Sequence, residues 1–323
     1  MASKKTVLAS VGKINFPEDI AESLSLLAKV VYVTQEDYKS ILSTAVVVIA
    51  GTEKIDETYL DIAPNLKLIS RFGVGYDSVN IDACTDREIF VTHTPRVLSE
   101  AVAEHTWALI LGFTRKISSA DHFTREEWAL RNQRFPFGTD LIGKTFGIIG
   151  LGAIGTEVVR RSQGFGLELI YYDVVRKPEI EKELGIEFVE LNTLLQESDI
   201  VSLHVPLLPS TRGLIGVTEL QMMKPTVFIV NTSRGPVIDQ RALTEALKCG
   251  KIAGAALDVY EEEPILLDNE LLGMENVLAT PHIASATWET RRKMAQSCAE
   301  SVRDFLKGKR PRDLVPEQKN MSF

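Results

Sequence analysis

The chain has 323 residues, 45% of them hydrophobic, with 36 Lys and Arg against 44 Asp and Glu for a net charge of −8. That length and apolar content supply a substantial core and about two domains, and the negative balance argues against a nucleic-acid backbone as partner. No apolar stretch reaches the ~20 residues needed to span a bilayer, so no membrane partner is expected.

Met1-Ala2-Ser3-Lys4-Lys5 leads into a strand-like segment rather than a signal-peptide core. From residue 5 to about 91, β-rich runs (6–9, 30–33, 45–50 and 66–70) alternate with helix-like stretches such as 17–27. This alternation specifies an α/β unit with a mostly parallel sheet. A helix follows from 99 to about 116, with Val102, Ala103, Thr106, Trp107, Leu109, Ile110 and Phe113 covering too wide an arc for a surface helix. It is therefore deeply buried or at an interface, and the apolar face is the reason to expect a homodimer. Strand candidates then recur at 146–150, 168–173, 199–205, 226–231, 253–258 and 277–279, the pattern of a doubly wound nucleotide-binding domain. The stretch 290–308 reads as one amphipathic helix, with Met294, Cys298, Val302 and Phe305 on one face. It has no place in a completed nucleotide-binding sheet, so it is expected to return to the first domain. The tail 310–323 is expected to be partly extended or disordered. Three cysteines, Cys84, Cys249 and Cys298, lack CxxC spacing; neither a disulfide framework nor a metal site is indicated, and the compartment reads as cytoplasmic.

The most informative segment is Gly150-Leu151-Gly152-Ala153-Ile154-Gly155, which follows the apolar run Phe146-Gly147-Ile148-Ile149 and precedes a helix expected from Thr156. Gly150 permits the sharp turn, Gly152 lets a diphosphate approach the backbone, and Gly155 lets helix and strand pack closely. The diphosphate then lies against the N–H groups and positive dipole of the helix. Asp173 ends the second apolar run, where a carboxylate accepts hydrogen bonds from ribose hydroxyls and repels a 2′-phosphate. The cofactor therefore reads as NAD, although Arg176 and Lys177 nearby could offer a 2′-phosphate compensation.

Three further segments fall at or just beyond strand ends, where open α/β sheets bind ligands. They carry Arg234 (in Asn231-Thr232-Ser233-Arg234-Gly235), Glu263 (in Asp258-Val259-Tyr260-Glu261-Glu262-Glu263-Pro264) and His282 (in Thr280-Pro281-His282-Ile283-Ala284-Ser285). His93, His105, His122 and His204 have no comparable partners in the sequence.

Together with Arg71-Phe72-Gly73-Val74-Gly75-Tyr76-Asp77, Val102-Ala103-Glu104 and His204-Val205-Pro206-Leu207, these motifs make the chain resemble the D-isomer-specific 2-hydroxyacid dehydrogenase family over almost its whole length. Glyoxylate/hydroxypyruvate reductases, D-lactate dehydrogenases and 3-phosphoglycerate dehydrogenases belong to that family. The resemblance implies a Rossmann cofactor domain, 99–289, inserted into a smaller flavodoxin-like α/β substrate domain, 1–98 and 290–323. It implies that Arg234, Glu263 and His282 are catalytic, the position directly before Pro264 selecting Glu263 from its three glutamates. It also implies cofactor contacts from Gly150, Gly152, Ala153, Ile154, Gly155, Asp173, Val205, Pro206, Thr211, Thr232, Ser233, Arg234 and His282. Asp258 matches a residue that contacts the nicotinamide amide, or caps the turn after its strand. His204 matches a position beside the adenine pocket and reads as structural or as a cofactor neighbour. Backbone N–H groups around Gly73, Val74 and Gly75 match the loop that holds the substrate carboxylate.

The chemistry follows from the residue types. Reduction of a 2-keto acid by hydride leaves an alkoxide that must be protonated as it forms. Arg234 binds the carboxylate and polarises the carbonyl with one fork of donors; His282 gives the proton, and Glu263 beside the ring favours its charged form. Glyoxylate or hydroxypyruvate is the leading substrate. Arg96 could pair with a phosphate or second carboxylate, which keeps 3-phosphoglycerate oxidation as the alternative, or could be a hinge-surface residue. A cofactor-sensing binding protein or co-repressor on the same fold is the alternative of another class.

Overall fold

The computed structural model describes residues 4–33, 37–130 and 134–323. Residues 1–3 of the charged leader lie outside the described residues. The chain divides into two compact units, one of residues 1–98 with 286–323, the other of 99–285.

The first unit is built on a parallel sheet of β1 (Lys5–Ala9), β2 (Ala28–Tyr32), β3 (Ala45–Ala50), β4 (Leu68–Arg71) and β5 (Phe90–Thr92), in the order β2-β1-β3-β4-β5. Its strands are nearly continuous apolar runs, as expected where both faces of a parallel sheet are covered. One cluster joins Leu8, Val48 and Ile69 to Leu60, Ala83 and Cys84 from the flanking segments. The helix Trp288–Leu306, capped by Thr287 Oγ1 on Thr290 N–H, packs on β4 and buries Met294, Cys298 and Val302.

Of the two forms expected for the tail, partly extended or disordered, it takes the extended one and runs along β5: Leu314 bridges Thr92, Val315 N–H donates to Val91 O, and Gln318 is fully buried. The Gln318 carboxamide accepts from Val91 N–H at 2.6 Å and donates to Ile89 O and Thr85 Oγ1. It thereby satisfies backbone groups on the open edge of the sheet.

The second unit holds β6 (Thr145–Ile149), β7 (Glu168–Tyr172), β8 (Glu187–Phe188), β9 (Ile200–Leu203), β10 (Phe228–Asn231), β11 (Gly254–Leu257) and β12 (Val277–Ala279), all parallel, in the order β12-β11-β10-β9-β6-β7-β8. The two-residue β8 is too short to leave a periodic signal in the sequence. Side chains alternate between two cores: Ile149, Val201, Ile229 and Leu257 on one face, Ile148, Ile200, Val230 and Ala256 on the other. The helix Ser99–Thr114 spends its apolar face within this unit, with Ala103, Trp107, Leu109 and Ile110 buried against Phe146 and Val158. Trp107 donates to Val158 O and stacks on Phe165. That face is therefore not available to a second subunit.

Candidate active site

Every chemistry-bearing segment of the second unit leaves the C-terminal end of a parallel strand. The strand order reverses at β6, between β7 and β9, so the loop after β6 opens at the switch point of the sheet. That loop is the glycine motif. Gly150 has φ 95°, and a Cβ there would lie 2.9 Å from the His204 carbonyl; one on Gly155 would lie 2.1 Å from Gly150 O. These two positions accept only glycine if helix, strand and the His204 segment are to meet. Gly152 is the N-cap of the helix Ala153–Arg161, which begins three residues before the expected Thr156. Nothing lies within 4 Å of a Cβ placed on Gly152. Open space at a helix N-terminus, with the first N–H groups lacking intrahelical partners, fits a diphosphate.

Asp173 steadies this loop. Its Oδ2 accepts from Leu151 N–H at 2.8 Å and its Oδ1 from Val175 N–H at 3.2 Å. Lys177 Nζ lies 3.4 Å from Asp173 Oδ2 and donates to Leu151 O. Arg176 is held instead by Glu181 through two bonds of 2.9 Å. At the end of β9, His204 Nε2 lies 2.8 Å from Ser202 Oγ, and burial pushes its pKa down to about 3, so the ring is neutral at neutral pH. Thr211 Oγ1 closes the following turn on Pro206 O, with Val205 between turn and core.

The three catalytic candidates belong to this one unit. His282 Nδ1 lies 2.6 Å from Glu263 Oε2, while Glu263 Oε1 accepts from Tyr260 N–H at 3.0 Å. Burial raises the Glu263 carboxyl, but the His282 hydrogen bond and charge, the Tyr260 N–H and the Arg234 charge outweigh it and hold the carboxyl below its usual range. His282 has φ 53°, a left-handed conformation that costs a non-glycine residue energy and recurs at functional sites. Arg234 leaves the loop after β10 with Nη1 donating to Ser233 O, and Thr232 is pinned by Thr106 Oγ1 at 3.0 Å.

Several residues that hold this arrangement were not singled out by sequence. Asn231, buried, accepts from Ser233 N–H and Oγ and donates to Arg234 O. An Asn with Ser two residues on, directly after an apolar run, is the local signal for such an Asx turn. A Cβ on Gly235 would lie 1.9 Å from the Tyr260 carbonyl, so the Arg234 loop lies directly on the Glu263 loop. The Tyr260 hydroxyl reaches both Leu257 O and Thr280 O. Asp258, which the sequence does single out, is fully buried and accepts from Thr280 Oγ1 (2.6 Å), Ile283 N–H (2.9 Å) and Ala284 N–H (2.8 Å). His105, which has no evident partner in the sequence, lies 3.3 Å from the same carboxylate.

In the first unit, the Gly73-Val74-Gly75 loop leaves β4. Gly73 N–H turns back onto Arg71 O, so it is not an available donor. The next two peptides differ. Thr94 N–H donates to Gly73 O and His93 Nδ1–H to Val74 O, both at 2.9 Å. Among the described residues the N–H groups of Val74 and Gly75, on the far ends of those two peptides, have no backbone partner. Successive free N–H groups of this kind form an anion-binding concavity. His93 is thus a positioning residue that its sequence context did not reveal. Arg96 is exposed, with φ 66°.

A family model described as D-isomer specific 2-hydroxyacid dehydrogenase, NAD binding domain, matches residues 107–284, more than half of the chain. The chain belongs to that family. It is an oxidoreductase of 2-hydroxy acids. A glyoxylate reductase of Aeropyrum pernix is 45% identical over 313 residues, 92% of this chain and 93% of the relative. Among solved structures, a glyoxylate reductase from Paecilomyes thermophila is 32% identical with TM-score 0.87, covering 99% of this chain and 100% of the other. An NADPH-dependent glyoxylate/hydroxypyruvate reductase from Sinorhizobium meliloti, in complex with NADP and malonate, is 30% identical with TM-score 0.85 over 98% of each chain.

The Asp258 network generates a stability prediction. Burial raises its carboxyl, but bonds from His105, Thr280, Ile283 and Ala284 bring it below the usual range. A carboxyl lowered in the folded state stabilises above its unfolded pKa of about 3.9, and the gain is lost as pH falls from there through the folded value. Asp258→Asn should cost about 1–3 kcal/mol at pH 7. Urea unfolding should give the same gap between wild type and variant at pH 7 as at pH ~5, and a smaller one below pH ~4.

Proposed function

We propose that the chain is an NAD-dependent glyoxylate reductase that also takes hydroxypyruvate, with Arg234, Glu263 and His282 as its catalytic residues. The observation that carries this reading is the Glu263–His282 pair. With Nδ1 engaged by Glu263, Nε2 is the ring nitrogen left to exchange a proton with substrate. In reduction, His282 Nε2–H protonates the carbonyl oxygen as the C–H bond forms; in oxidation the same nitrogen takes the hydroxyl proton. The ionised Glu263 orients the ring and compensates its charge. Arg234 binds the carboxylate and polarises the carbonyl, and the Val74 and Gly75 N–H groups, in the loop opened by Gly73, bind the carboxylate in the first unit. Arg96, exposed in the first unit, is suited to a phosphate or second carboxylate, a group that neither glyoxylate nor hydroxypyruvate carries, so this reading gives it no substrate contact. The names of the A. pernix and P. thermophila relatives favour glyoxylate.

Gly150, Gly152, Ala153, Ile154 and Gly155 would hold the cofactor diphosphate and Asp173 the adenosine ribose. His204, Val205, Pro206 and Thr211 would flank the adenine, and Thr232, Ser233, Arg234, Asp258 and His282 the nicotinamide. Bound there, the dinucleotide supplies the hydride in reduction and accepts it in oxidation. The choice of NAD over NADP is supported by the Asp173 carboxylate at the end of β7 and by the engagement of Arg176 with Glu181. A cytoplasmic setting fits the three free cysteines. A homodimer is supported by Ile117, Trp128, Phe137 and Ile142, large apolar side chains exposed between residues 117 and 142.

Three measurements test these assignments. NADH oxidation with glyoxylate, followed by absorbance, should fall about 10²–10⁴-fold in kcat for His282→Gln, while NADH affinity changes far less, because the Gly150–Gly155 loop and Asp173 would still hold the diphosphate and ribose. Glu263→Gln should contract the active pH range from its alkaline side. Substantial kcat in His282→Gln would assign the proton to another group. Second, kcat/KM should favour NADH over NADPH, and Asp173→Ala should narrow the ratio; a wild type that prefers NADPH overturns the cofactor assignment. Third, light scattering should give twice the chain mass, and Phe137→Asp should lower it; a monomeric wild type at working concentration contradicts the dimer.

A further inference from the structure

Arg291 sits in the first turns of the helix Trp288–Leu306, in the same unit as the Gly73–Gly75 loop. Its guanidinium lies over the Phe72 ring, 5.7 Å from the centroid, and Phe72 is the residue that leads into that loop. A second guanidinium approaches the same peptide: Arg71 Nη1 donates to Phe72 O at 2.5 Å and would lie 2.7 Å from a Cβ on Gly73.

The surroundings of Arg291 are unlike those of the other arginines on its helix. Its neighbour Arg292 pairs with Asp19 at 2.5 Å, and Arg303 donates to Ser23 Oγ at 3.0 Å. Arg291 is half-buried, and among the described residues no carboxylate lies within ion-pair distance of it. Burial alone lowers its pKa, with no carboxylate opposing the shift. Carboxylates are not scarce in a chain with 44 Asp and Glu against 36 Lys and Arg. A partly desolvated cation without an anion is costly unless something supplies one.

We propose that Arg291 is the residue by which this enzyme selects a charged substrate: its uncompensated guanidinium, stacked on Phe72, biases the Val74–Gly75 N–H pair toward a carboxylate over a neutral carbonyl compound. The proposal rests on the assignment of that loop to the substrate carboxylate. The two N–H groups supply direction and the guanidinium supplies the field, which acts strongly where water is partly excluded. Arg291 is a positioning and specificity residue, distinct from the groups that exchange the proton.

The test compares Arg291→Met, which keeps an extended side chain and removes the charge, with Arg291→Lys, which keeps the charge. With NADH and glyoxylate, Arg291→Met should raise KM about tenfold or more with kcat within about threefold, the signature of lost substrate binding rather than lost chemistry. The kcat/KM for methyl glyoxylate, the uncharged ester, should change little, NADH affinity should be unchanged, and Arg291→Lys should restore most of the affinity for the acid. Equal losses toward acid and ester, or a Lys variant as weak as the Met variant, overturns the proposal. Oxalate binding to the enzyme–NADH complex, read by intrinsic fluorescence, separates this from the functional reading. Oxalate bound about tenfold more weakly by Arg291→Met, with no glyoxylate turnover in wild type, keeps the Arg291 assignment and removes glyoxylate reduction. Glyoxylate turnover with unchanged oxalate affinity does the reverse.

Discussion

The buried carboxylate of Asp258 holds the loop after β12 in register with the end of β11. It sits at the end of β11 and receives the N–H groups of Ile283 and Ala284 and the hydroxyl of Thr280. Those contacts fix both sides of His282, a residue with a left-handed backbone that no local preference would maintain. An ionised group with no exposure is tolerable only when its oxygens are satisfied. The same bonds that meet that requirement carry His282 to Glu263. The Glu263–His282 pair is therefore positioned by a network whose centre lies outside the pair.

Close backbone approach is the second constraint. Gly235 brings the Arg234 loop onto the Tyr260 carbonyl, and Gly155 brings the helix Ala153–Arg161 onto the Gly150 carbonyl. In each case a single Cβ would separate two loops that must act together. Parallel strands make this arrangement general, because all their C-terminal ends open on the same edge of the sheet. The arginine, carboxylate and histidine come from three different strand ends, β10, β11 and β12, which are neighbours in the sheet.

The first unit solves a different problem, the orientation of free N–H groups. Thr94 and His93 tie down the carbonyls of Gly73 and Val74, which turns the opposite ends of those peptides outward. The C-terminal tail contributes from behind: Asp313 O accepts from His93 N–H, and Gln318 closes the edge of β5 from which Thr94 departs. A segment that its composition marks as a loose end is thus part of the scaffold of the Gly73–Gly75 loop.

The sequence by itself determined the α/β class, the glycine loop with its acidic partner, and the arginine, glutamate and histidine candidates. These are legible because apolar periodicity and turn residues act over a few positions, and because a dinucleotide site is carried by one strand, one loop and one helix start. The partners of His93 and His105, the docking of 310–323 and the burial of the helix Ser99–Thr114 within its own unit were decided only by the tertiary structure. His105 and Asp258 are 153 residues apart in sequence and 3.3 Å apart in space. A single polar contact between distant residues leaves no periodic trace in either segment. Likewise, a wide apolar arc on a helix specifies that the arc is buried but not what covers it, since the hydrophobic effect measures area removed from water and is indifferent to which surface removes it.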